Sequence, residues 1–203
     1  MKVSIVNHTP DPLKSIIKAA RRCYSADDDP QFDERKDPKE FIKFLLDRGH
    51  HTPFEFVSVT FSVTGISRAC SHQIVRHRIA SYCQQSQRYC KGFPGYVLPE
   101  KLCKKLESGS IRISNALINF FQSFNYLQET LAEEGISQED ARYFWIEGTK
   151  TKMFMKFNLR SLMNFFKLRL DEHAQWEIRK MAGLMYDQIC VVLPEVFPPR
   201  NLK

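Results

Sequence analysis

The chain has 203 residues, 43% of them hydrophobic, with a formal net charge of +7 and a pI near 9.1. Sixteen Phe, seven Tyr and two Trp supply a core for one domain, and a charged fraction of 26% with eight Gly excludes a disordered chain. The basic balance favours anionic partners, nucleic acid or phosphorylated small molecules, but no long basic run marks a polymer-binding tail.

Residues 3–6 read as a short strand. Asp11-Pro12 predicts a helix start, Asp as N-cap and Pro at the first helical position, with Leu13, Ile16, Ile17 and Ala20 on its buried stripe. Ser25 to Pro30 reads as loop. Asp37-Pro38-Lys39-Glu40 resembles a capping box, followed by a stripe of Phe41, Phe44 and Leu45 and by Gly49 as a left-handed stop. Residues 56–64 alternate, Val57, Val59, Phe61 and Val63 against Ser58, Thr60, Ser62 and Thr64, which predicts a half-buried strand.

A helix is expected from Ser67 to about Arg76, with Ala69, Ile74 and Val75 buried. Residues 110–134 predict a long helix rich in Phe, stopped at Gly135, with Phe120, Phe121 and Phe124 serving as core or subunit interface. Ser137 caps a shorter helix that carries Arg142. Residues 150–157 alternate again, Asn158 caps a helix through Leu162, Phe165 and Phe166, and Asp171 is the expected cap of a last helix ended at Pro194. The whole reads as a single α/β (α+β) domain, residues 1–203, with a small mixed or antiparallel sheet flanked by several helices.

Six cysteines, Cys23, Cys70, Cys83, Cys90, Cys103 and Cys190, contain no Cys-x-x-Cys pair, so no metal site is expected. No apolar run approaches a membrane span, and the expectation is a soluble, cytoplasmic protein.

The densest polar stretch runs from Gln73 to Tyr89 and includes Arg76, His77, Arg78, Ser86 and Arg88. If the chain is extended, Ser86 and Arg88 share a face, as do Arg76 and Arg78. Arginine forks suit phosphate, and Ser and Gln add orienting hydrogen bonds. A solvated basic loop has the same composition. So does a nucleic-acid-binding module with arginines on phosphates and Tyr82 and Tyr89 stacking on bases.

Arg76-His77-Arg78, then seven residues, then Ser86, resembles the signature of the flavin-dependent thymidylate synthases. His50-His51-Thr52-Pro53-Phe54-Glu55 and the run Asn158 to Arg169, continuing to His173-Ala174-Gln175-Trp176-Glu177, resemble two further segments of that family in the same order. The resemblance implies methylation of dUMP to dTMP with FAD, NADPH and 5,10-methylenetetrahydrofolate, in a homotetramer whose active sites draw on several subunits. It implies flavin contacts at Thr52, Glu55, Arg76, His77, Arg78, Gln84, Asn158, Arg160 and Asn164. It implies dUMP contacts at Gln73, Arg76, Gln84, Gln85, Ser86, Gln87, Arg88, Arg142 and Arg169.

Arg169 and His50 are the catalytic candidates, Arg169 lying against the uracil to help ionise N3. A fixed cation suits that role because negative charge develops on the ring. His51 reads instead as complementing the end of the preceding helix. Cys83 stands where the family often has Asn, Gln84 where Glu is frequent, and Trp145-Ile146 where Leu-Pro is usual. An inactive relative that keeps the fold is the alternative that the changes at Cys83 and Gln84 favour.

Overall fold

Period-two patterning builds the centre of the molecule. In the computed structural model, which describes residues 1–28, 37–90 and 92–200, four strands form one sheet: β1 (Lys2–His8), β2 (Ser58–Ser67), β3 (Ser81–Gln84) and β4 (Lys150–Asn158). The order is β1-β2-β4-β3 and every pair is antiparallel, which resolves the mixed-or-antiparallel expectation. Val59, Phe61 and Val63 face Phe157, Met155 and Met153 across the β2–β4 ladder, and all six are buried. Apolar cross-strand pairs of this kind stabilise a sheet face.

Among the described residues eight helices surround the sheet: α1 (Pro12–Arg22), α2 (Pro38–Asp47), α3 (Arg68–Ile74), α4 (Glu100–Glu107), α5 (Ile111–Glu133), α6 (Gln138–Ala141), α7 (Leu159–Arg169) and α8 (Trp176–Val192). Two short 3₁₀ turns lie at Thr52–Phe56 and Arg142–Phe144. Buried side chains of α1, α2, α3, α7, α8 and the inner strand faces join in one contiguous core from Ile16 to Phe197.

Local chemistry explains most of the boundaries. Asp37, Ser67 and Asn158 each accept a backbone N–H at the start of α2, α3 and α7, as N-caps do. Gly49 follows α2 at φ +69°, where a side chain would be strained.

Several expectations need correction. Asp11 precedes α1 at φ +44° and makes no side-chain cap; Asp tolerates that region better than most residues. In α2 the stripe centres on Ile42 and Leu45, and Phe44 is half exposed. Helix α3 stops at Ile74, burying Cys70, Ser71 and Ile74, while Val75 is exposed. Strand β2 begins at Ser58, because the Pro53-containing 3₁₀ turn takes up Phe56. The last helix is capped by Gln175, whose side-chain oxygen accepts from Glu177 and Ile178; Asp171 accepts from the His173 N–H in the turn before it. Helix α4 went unread because it buries no residue. Residues 25–28 are irregular as expected, and Asp29 and Pro30 lie outside the described residues.

Candidate active site

Helix α7 has two unlike faces. Leu159, Leu162, Phe165 and Phe166 turn into the core. Arg160, Asn164, Lys167 and Leu168, spaced one helical face apart, turn out. That outer face forms one wall of a cavity of about 910 Å³. Arg76, His77, Arg78 and Ile79, on the chain leaving α3, form a second wall, and His51 and Glu55 from the 3₁₀ turn a third. Five permanent or near-permanent cations, Arg76, Arg78, Arg160, Lys167 and Arg169, meet a single carboxylate, Glu55, in this lining. Cations in a concave, partly desolvated wall attract anions over a longer range than the same charges on a flat surface.

The polar groups here are tied to one another. Arg169 donates from Nε to His77 Nε2 at 2.8 Å and from Nη2 to the Gln73 carbonyl at 3.4 Å. Burial, and secondarily the Arg169 charge, hold His77 below the ordinary histidine pKa. The Arg160 Nη1 donates to Glu55 Oε1 at 2.5 Å, bracing α7 against the 3₁₀ turn. Asn158 lines the cavity while its Oδ1 accepts the Ser161 N–H at 2.8 Å. Behind α3, the buried Glu177 accepts from the Ser67 N–H at 2.7 Å and from the Ser67 hydroxyl at 2.5 Å. Burial and that carboxylate push the Cys70 thiol strongly up, so it stays protonated and inert.

A family profile described as thymidylate synthase complementing protein matches residues 4–195. The chain belongs to that family. It is 37% identical over 214 residues to a flavin-dependent thymidylate synthase of Clostridium tetani, with 97% of this chain and 85% of the relative covered. A protein of the same name from Geobacter sulfurreducens is 38% identical over 208 residues, with 97% and 85% covered. One from Pyrococcus horikoshii is 40% identical over 197 residues, with 93% and 79% covered. Among the described residues no helix is long and apolar enough to cross a membrane, and no group of three or more His, Cys, Asp or Glu is placed to hold a metal.

Of the residues that family resemblance singled out, the fold brings Glu55, Arg76, His77, Arg78, Asn158, Arg160, Asn164 and Arg169 to one cavity. His50 and Thr52 line a second cavity, of about 520 Å³, with Arg21, Tyr24, Phe41 and Phe44. Gln73 reaches Arg169 through its carbonyl. Gln84 donates from Nε2 to Ser71 Oγ at 2.9 Å and Thr151 Oγ1 at 3.2 Å, tying β3 to α3 and β4.

Gln85, Ser86, Gln87, Arg88 and Arg142 do not line the larger cavity. The chain is not extended through 86–88. It turns there, and the Arg88 N–H donates to Ser86 Oγ at 3.1 Å, so the shared-face reading of Ser86 and Arg88 is corrected. Residues 76–78 are likewise irregular backbone, and Arg76 and Arg78 share the cavity through its curvature. Arg88 pairs with the Glu139 carboxylate at 2.7 Å, and Arg142 donates to the Glu139 carbonyl at 2.9 Å, so these two arginines meet on α6.

His51, Ile79, Ser161, Met163, Lys167 and Leu168 were missed as wall residues. The signal for Lys167 and Leu168 was present in the helical spacing from Arg160 and Asn164; that for His51 was not, because its direction depends on the 3₁₀ turn.

Proposed function

We propose that the chain is a flavin-dependent thymidylate synthase, which methylates dUMP to dTMP with 5,10-methylenetetrahydrofolate as carbon donor and NADPH as reductant of bound FAD. The observation that carries this reading is the arginine-walled cavity built from Arg76-His77-Arg78 and the outer face of α7. Its size and charge fit a dinucleotide: a lone carboxylate already paired with Arg160 leaves Arg76, Arg78 and Lys167 for a diphosphate. FAD would be held there by Glu55, Arg76, His77, Arg78, Asn158, Arg160 and Asn164, with Thr52 and Gln84 at its margin. When bound, the flavin supplies the hydride that turns the folate methylene into a methyl group.

The chain's own part is binding and electrostatics. Arg169 would sit against the uracil and stabilise the charge that develops at N3 and O2. Gln73, Arg76, Gln84, Gln85, Ser86, Gln87, Arg88 and Arg142 would hold dUMP, and His50 would border the reacting centre. Arg88, on the turn after β3, and Arg142, on the 3₁₀ turn after α6, meet at Glu139 and do not line the cavity, which supports an assembled site in a homotetramer. We read residues 1–203 as one domain, supported by the single contiguous core, and the enzyme as cytoplasmic, as befits nucleotide synthesis.

The test is tritium release from [5-³H]dUMP by the purified protein with FAD, NADPH and methylenetetrahydrofolate, each omitted in turn. Release that needs all of them is the expected result. A colourless protein that releases nothing, yet binds nucleic acid with a steep salt dependence, would replace this reading with the binding-module one.

A further inference from the structure

The guanidinium of Arg169 is held from behind by two uncharged acceptors. Its Nε donates to His77 Nε2 and its Nη2 to the Gln73 carbonyl. Among the described residues no carboxylate pairs with it. An arginine has five N–H donors, so three remain for a ligand in the cavity that Arg169 lines. Its charge is also left whole, because neither acceptor offsets it.

His77 is in turn held on several sides. Its N–H donates to the Ile74 carbonyl at 3.0 Å. Its carbonyl accepts from the Tyr82 hydroxyl at 2.7 Å, with the Ile74 carbonyl at 3.0 Å from the same hydroxyl. Its ring meets Phe165 edge-on at 4.8 Å. Tyr82 is seated on Phe157 at 6.1 Å, and Phe157 packs on Phe165 at 5.3 Å. The imidazole is thus located by the core, with Nε2 presented to a cation. Only the tautomer protonated at Nδ1 can accept there.

We propose that His77 is a positioning residue for Arg169: its neutral Nε2 accepts the Arg169 Nε–H and aims the guanidinium into the cavity, while the Tyr82 hydroxyl locks the His77 backbone. This deepens the functional reading above and rests on it for its catalytic consequence. It adds to His77 a duty distinct from touching the flavin.

Protonation of His77 would remove the acceptor and set a second cation against Arg169. Burial and Arg169 itself oppose that protonation, so the contact survives below the ordinary histidine range. The other charged or titratable groups of the cavity are His51, Glu55, Arg76, Arg78, Arg160 and Lys167. Tyr82, pushed up to about 12 by burial, remains a donor throughout.

The experiment compares His77→Leu and His77→Gln in the flavin-loaded enzyme. The Gln oxygen reaches the place of Nε2 and does not titrate. For each variant, kcat, KM for dUMP, flavin per chain and thermal unfolding are measured across about pH 5 to 8. His77→Leu is expected to lower kcat about 100-fold at saturating FAD, as a small misplacement of a catalytic group does. His77→Gln should restore most of kcat and lose the acid limb of the wild type. Tyr82→Phe should give a smaller loss in the same direction.

Nitrogen-15 arginine NMR reads the contact without turnover: the Arg169 Nε–H should be exchange-protected in the wild type and in His77→Gln, and unprotected in His77→Leu. A wild-type kcat for His77→Leu at saturating FAD, or an Arg169 signal indifferent to His77, overturns the proposal. A wild type that makes no dTMP yet shows the NMR pattern overturns the functional reading alone.

Discussion

The half of the molecule built from β2, β4, α7 and α8 and the segment from 85 to 148 differ sharply in how they are held. In the first, Phe61, Met155, Phe157, Leu162, Phe165, Ile178 and Met181 are all essentially inaccessible. In the second, the buried apolar residues are Phe124 and Ala141, and the 23-residue helix α5 leaves Ile111, Ile118 and Tyr126 more than half exposed. Its stability comes from a small aromatic group in which Phe93 and Tyr96 meet Phe124 and Phe121, at 5.2 and 4.6 Å between ring centres. One wall of the cavity, the outer face of α7, belongs to the first region, and the other two come from the chain leaving α3 and from the 3₁₀ turn at Thr52–Phe56. Arg88 and Arg142 ride on the second, whose apolar surface would gain most from a partner subunit.

The largest effect that could break this contrast is chemical. Arg169→Ala should lower dTMP formation by at least about 10²–10³-fold, the usual cost of removing a preorganised charge-stabilising donor. The protein should stay folded and yellow, since the side chain is braced by the core and does not build it; turnover at the wild-type rate would remove Arg169 from the mechanism.

Next in size are two truncations of the same residue type. Phe165→Ala should cost about 3–5 kcal/mol of stability. Phe120→Ala, at 40% exposure, should cost under about 1 kcal/mol in the dissociated chain. Urea unfolding of both at low protein concentration decides it, and equal costs would erase the contrast. If Phe120→Ala costs far more at high concentration, α5 is an interface.

Smaller again is the seam between α8 and α3. Ser67→Ala removes the cap of α3 and one partner of the buried Glu177 carboxylate. About 1–3 kcal/mol should be lost; an unchanged urea midpoint would mean that water replaces the hydroxyl.

The least of the effects is the contribution of His77 to the pH dependence of stability. Its folded pKa is depressed, so the unfolded state binds more protons between the two values. The stability difference is therefore fully present above the unfolded value near 6.5 and is lost as pH falls through the lower folded value. His77→Gln should flatten that part of the curve, and identical pH profiles of the melting temperature would contradict the sign.

Much of this was readable beforehand, for identifiable reasons. The alternation of Val57, Val59, Phe61 and Val63 and the caps at Asp37, Ser67 and Asn158 are local signals, and they placed β2, α2, α3 and α7. The wall formed by Arg160 and Asn164 was foreseen from motif resemblance, and helical spacing could have added Lys167 and Leu168. The partners of Gln84, Ser71 and Thr151, were not readable, because they depend on β3 pairing with β4 and lying beside α3. Asp171 looked like a cap and lost to Gln175, since two competent caps lay within one turn of chain and only packing chose between them.

By itself, the amino-acid order determined the chemistry carried by the chain: which positions hold permanent cations, which strands alternate and where helices begin. These are properties of neighbours a few residues apart. The tertiary structure alone decided that Arg169, 92 residues after His77, would rest on its imidazole. It also placed His50 and Thr52 in one cavity and His51 and Glu55 in another. Such meetings depend on the antiparallel order β1-β2-β4-β3 and on which helix face is buried, and those are settled by the packing of the whole core.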